Sequence, residues 1–259
     1  MGNLNVQLFM NNTTIPASHP SVSVTVPPQY KIVGGGARVF YTGVGSLLTA
    51  SYPSIDSTDV YRTWNAAAKD HGQSDPSTIA AYALAIYDPD DEWDVQVVNN
   101  TSDPADHPTA AATLPSGYTL TGGGAFVDYS TGYGQLLTAS FPESGNTWRA
   151  SSKDHLQPDK ASITTFAIGM ASKTGVSLAN SVVHQDSTSV EFPTAIITPP
   201  SPAFTLCCGG ALDMWAEPGN MLTGSYPDGT GGWIASGKDQ IDHSPAIIRA
   251  YAVCVQTLD

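Results

Sequence analysis

Short apolar or alternating runs, broken by glycine clusters and prolines, succeed one another along the whole chain. VSVTV (22–26) alternates and AAATL (110–114) runs apolar, and each is followed by proline or glycine punctuation. A period of two bounded by such breakers predicts β-strands. The pattern is written three times. GGGARVFYTGVGSLLTASYP, TWNAAAKDH and STIAAYALAIY recur as GGGAFVDYSTGYGQLLTASFP, TWRASSKDH and SITTFAIGM. They recur again as CGGALDMWAEPGNMLTGSYP, GWIASGKDQ and AIIRAYAVCV. Trp64, Trp148 and Trp233 mark the period, 84 and 85 residues apart. Units of about 86 residues, 1–88, 89–173 and 174–259, therefore account for all 259 residues.

About six strands per unit predict an all-β protein. The last strand of each unit is apolar on both faces. Tyr82, Leu84 and Ile86 lie on one side and Ala83 and Ala85 on the other. Such a strand is expected to be covered on both sides. Its small-residue face points to close approach by a neighbour, for which the glycine cluster, read as a bend after a strand, is suited. The expected architecture is a single domain of three units around a pseudo-threefold axis, β-prism-like. Three tandem small β-sandwiches are the alternative. Cys208 aligns with Gly34 and Gly122, and Cys254 with Ala85 and Gly169, so these cysteines either pair or stay as buried thiols.

Composition narrows the function. Charged residues are 13% of the chain, about half the ordinary share, while 41% hydrophobic residues suffice for a core. A net charge of −13 with ten Lys and Arg argues against nucleic acid and anionic membrane as partners. No apolar run reaches membrane-spanning length, so no membrane insertion is expected. The start shows no signal peptide, and a secreted or leaderless soluble protein is expected.

The sharpest shared text is W-x-A-x-x-K-D. Read as a strand, one face carries Trp64, Ala66, Ala68 and Asp70, then Trp148, Ala150, Ser152 and Asp154, then Trp233, Ala235, Gly237 and Asp239. The other face begins variably (Asn65, Arg149, Ile234) and ends in Lys69–His71, Lys153–His155 and Lys238–Gln240. In the structural reading, Trp is core and Asp caps a turn. In the functional reading, an indole face beside a carboxylate accommodates a sugar ring, with the Lys–His end exposed beside it. The candidate ligand-binding residues are thus Trp64, Lys69, Asp70, His71, Trp148, Lys153, Asp154, His155, Trp233, Lys238 and Asp239.

Other signals weaken on inspection. The aromatic-proline pairs at 52, 141 and 226 read as packing plugs, and His19 and His107, replaced by Phe192 in the third unit, as wall residues. KIVGGG lacks the remaining features of a trypsin-like protease. GWIASGK carries Asp239 where a phosphate loop needs a hydroxyl. The DPDDEWD run (88–94) reads as a solvated acidic turn rather than a calcium loop. The sequons at 11–14 and 99–102 read as polar turns. No catalytic residue, metal site or cofactor is expected.

Three equivalent β units in one chain resemble, at the level of architecture, the pseudo-threefold lectins of the β-prism and β-trefoil kinds. The resemblance implies shallow carbohydrate sites related by threefold symmetry, and repeated weak sites gain avidity when linked. The first expectation is a multivalent, non-catalytic carbohydrate-binding protein whose partners are glycans or glycoproteins. The alternative is a cell-surface targeting, toxin-type or interaction module with purely structural repeats. A glycan-acting hydrolase is third.

Overall fold

The computed structural model describes residues 4–57, 60–128 and 133–258. It is all-β, with 64% of residues in strands and no helix among the described residues. Six strands fall in each sequence unit. The first holds β1 (Val6–Asn12), β2 (Ser21–Thr25), β3 (Tyr30–Phe40), β4 (Leu47–Ile55), β5 (Tyr61–Lys69) and β6 (Thr78–Tyr87). The second holds β7 (Trp93–Thr101), β8 (Thr109–Thr113), β9 (Thr119–Asp128), β10 (Leu136–Ser144), β11 (Thr147–Lys153) and β12 (Ser162–Ser172). The third holds β13 (Ser177–Asp186), β14 (Thr194–Ile197), β15 (Thr205–Met214), β16 (Asn220–Pro227), β17 (Trp233–Asp239) and β18 (Ile247–Leu258).

No unit keeps its strands in one sheet. The three six-stranded sheets run β1-β6-β3-β16-β17-β14, β2-β5-β4-β9-β12-β7 and β13-β18-β15-β10-β11-β8. Each takes three strands from one unit and three from another. The seams are short antiparallel pairings: Arg38 with Gly224, Phe126 with Ala50, and Leu212 with Ala139.

The last strand of each unit lies between two others and is buried through its middle, as its two apolar faces predict. Its neighbour is the glycine strand, with Gly35 opposite Ala83. The chain does not bend there, however. β3 runs straight through Gly34–Gly36 and absorbs the irregularity as a bulge between Ile32 and Gly34.

All three cysteines are buried free thiols, so the pairing of Cys208 with Cys254 is not formed. Cys208 instead packs where the backbone at Gly34 and Gly122 comes closest to it. Burial pushes the Cys254 thiol up to about 12.

The acidic run is a staple. Asp88 accepts the N–H groups of Glu92 and Trp93, and Lys31 Nζ reaches Asp88 at 2.7 Å and Asp91 at 2.5 Å. Lys173, at the end of the second unit, joins the same Asp91 carboxylate. The sequons end edge strands rather than forming turns. Asn11 and Asn100 donate their amides across the chain to Ser23 and Ala111.

Candidate functional site

The repeated tryptophans are interior. Trp64, Trp148 and Trp233 are 0% exposed, and each indole N–H donates to a serine of the neighbouring strand: Ser51, Ser140 and Ser225. No ring face is free for a ligand, which corrects the stacking role expected of these three residues. Alternation along β5, β11 and β17 turns Trp inward, and the small residues two and four positions on make room beneath the opposing glycine strand.

The Lys–His end is buried too, against the expectation that it is exposed. Lys69, Lys153 and Lys238 are at most 1% exposed. Their ammonium groups leave their own unit. Lys69 donates to the carbonyls of Tyr133 and Gly134, Lys238 to those of Gly43 and Val44, and Lys153 to that of Pro218. An aromatic ring covers two of these lysines: Lys153 Nζ lies 4.2 Å from the Trp215 ring and Lys238 Nζ 4.0 Å from that of Tyr41.

The residues two positions on close a ring. His71 Nε2 meets the carbonyl of His155 at 2.5 Å, His155 Nε2 meets that of Gln240 at 2.8 Å, and the Gln240 amide returns to that of His71. Each unit therefore grips the next, and the third grips the first. Lys69, His71, Lys153, His155 and Lys238 hold units together, and the third copy manages with glutamine because only a donor is needed.

Burial lowers the ammonium of Lys238 to about 8, with Asp75 and Asp239 opposing the shift. In the unfolded chain a lysine keeps its usual value of about 10.4. Between these values the unfolded state binds the extra proton, so stability rises with pH across that window. Urea unfolding from pH 8 to 10 is expected to show this rising limb in the native chain. It is expected to be shallower in Lys238→Met.

The aspartates cap the turn after the strand. Asp70, Asp154 and Asp239 each accept, through Oδ2, the backbone N–H five residues ahead at 3.3 Å. Their other oxygens face clefts beside the inter-unit grip. In the first, Asp70 Oδ1 lies 3.8 Å from His19, and Ser18, Lys69, Gln73 and Tyr133 line a cavity of about 440 Å³. In the second, His107 lies 3.3 Å from Asp154 and 3.7 Å from Glu217, and edge-on to Trp215. In the third, His243 pairs with Glu191 at 2.5 Å beside Phe192, in a cavity of about 420 Å³.

Of the residues singled out in the sequence, Lys69, Asp70 and His71 thus meet at one cavity, whereas the tryptophans do not reach it. Tyr133, Trp215, Glu217, Glu191 and His243 were not legible as site residues, because they lie in segments where the three copies differ. Only Trp215 left a trace, as the counterpart of Tyr41.

The aromatic-proline pairs are plugs between units. Tyr52 stacks on Phe166, Phe141 on Tyr251 and Tyr226 on Tyr82, with centroids 5.4–5.7 Å apart.

No family model matches the chain. A stretch of 61 residues is 44% identical to Shufflon protein B' of Escherichia coli. It covers 24% of this chain and 13% of that protein, so the chain spans about an eighth of the curated relative it matches.

Proposed function

We propose that this chain is a non-catalytic glycan-binding domain. Its three units pack as one body about a pseudo-threefold axis and present three clefts of unlike chemistry. The cyclic grip and the shared sheets support that arrangement, since the lysine, ring and sheet-seam contacts between the first and second units have counterparts between the third and the first. Recognition then rests chiefly on the residues that differ between units, with the repeated aspartate as a shared acceptor, because the repeated Trp and Lys are spent on assembly. The principal site is the first cleft. The observation that carries it is Tyr133, 62% exposed at the lip of a cavity whose other walls offer the His19 ring, the Asp70 carboxylate and the Gln73 amide. An exposed aromatic face beside fixed donors and acceptors suits the apolar face and hydroxyl edge of a sugar.

A glycan array followed by titration calorimetry tests this. One dominant binding event is expected, without turnover. Tyr133→Ala should weaken it about tenfold, the equivalent of roughly 1.4 kcal/mol, at an unchanged melting temperature. Retention of no glycan, turnover of the ligand, or undiminished affinity in Tyr133→Ala would overturn the assignment. A second reading, an interaction module with purely structural repeats, is favoured by the complete burial of the repeated Trp and Lys residues. It predicts a protein ligand and an empty array.

A further inference from the structure

The third unit breaks the repeat at three positions that touch one another. Where the first two units bury Val39 and Val127, the third buries Asp213, 2% exposed. Where they place Ser46 and Gln135, it has Asn220, and where they place Ala68 and Ser152, it has Gly237. In the second unit the Ser152 hydroxyl donates to Gln135 Oε1 at 2.9 Å. The third unit has no hydroxyl at that position. A β-carbon on Gly237 would lie 2.6 Å from Asn220 Oδ1 and 2.9 Å from Asp213 Oδ2, so both oxygens occupy the space the missing side chain leaves.

Both are acceptors, and among the described residues neither has a donor. The Asn220 amide cannot be turned to supply one, because its nitrogen already donates to the carbonyls of Glu191, at 2.9 Å, and Ser244. Two buried acceptor atoms facing the same gap call for a proton between them.

We propose that Asp213 is held as a neutral carboxylic acid whose O–H donates to Asn220 Oδ1, and that this bond is a pH-sensitive latch at the base of the 215–219 loop. Asp213 and Asn220 flank that loop in the chain. Trp215, Glu217 and Pro218 on it receive Lys153 and form one wall of the second cleft. Losing the proton to solvent breaks the bond and sets a carboxylate against an amide oxygen. Burial pushes the Asp213 carboxyl up to about 8, and the Lys153 ammonium on β11, the charged group facing it, offsets only part of that shift. The folded value exceeds the unfolded value of about 3.9. The stabilisation is therefore complete below about pH 4 and is lost as pH rises towards 8.

The test compares the native chain with Asp213→Asn, whose amide donates to Asn220 at every pH. The melting temperature of the variant minus that of the native chain should grow by about 5 °C or more from pH 5 to pH 9. At pH 9, amide exchange in 215–219 should be faster in the native chain than in the variant. A difference that stays flat with pH, or equal exchange rates at pH 9, would overturn the latch. Should the variant fail to fold, a carbon-13 titration of the Asp213 carboxyl in the native chain decides. A midpoint above pH 6 supports the proposal, and one below pH 6 overturns it.

Discussion

Replacing Gly35 with alanine is expected to abolish folding at 25 °C. The added carbon would lie 2.6 Å from Trp64 Cε2, and closer still to the Tyr82 carbonyl oxygen. Neither can yield. Trp64 is fully buried with its N–H fixed on Ser51, and Tyr82 lies on β6, enclosed between β1 and β3. Interiors packed at this density transmit such a clash to the backbone. The expected loss exceeds about 3 kcal/mol, beyond the usual span for a single substitution. Circular dichroism and the yield of soluble protein report it. Full folding with an unchanged melting point would mean that the glycine strand does not lie under the indole. Gly123 and Gly209 occupy the same place beneath Trp148 and Trp233, and they supply a replicate within the molecule.

Trp64→Ala comes next in size. It empties the space of a fully buried indole and leaves the Ser51 hydroxyl without its donor. Removing a core aromatic costs about 3–5 kcal/mol. A cooperative denaturant transition should move to a correspondingly lower midpoint in Trp64→Ala, and similarly in Trp148→Ala. A variant that melts like the native chain but loses a ligand would restore the stacking role that burial excludes.

The strands and the pairing of the glycine strand with the last strand were legible because each follows from periodicity within one unit, whereas the repeated tryptophans fitted both a core and a ligand-facing reading in the text and only their burial decides between them. Parity along W-x-A-x-x-K-D places Trp and Asp on the same side, and the cap at Asp70 follows from its position at the strand end. The fate of the lysines was not legible. A charged side chain at the end of a strand defaults to solvent, and the groups that receive Lys69 and Lys238 are backbone carbonyls, which leave no mark in the text. The pairing of Arg38 with Gly224 joins positions so far apart that periodicity cannot register it. Asp213 stands where the other units have Val39 and Val127, a departure the motif reading did not single out, and only the fold brings it against Asn220 and Gly237.

The exchange of strands between units has a consequence for biosynthesis. When the first unit has emerged from the ribosome, β1, β3 and β6 still lack β14, β16 and β17, which belong to the third unit and are translated later. Their open hydrogen-bonding edge persists until the final third of the chain appears, a period in which pairing with another nascent chain competes with closure. Slow folding dominated by long-range contacts is the corresponding kinetic expectation.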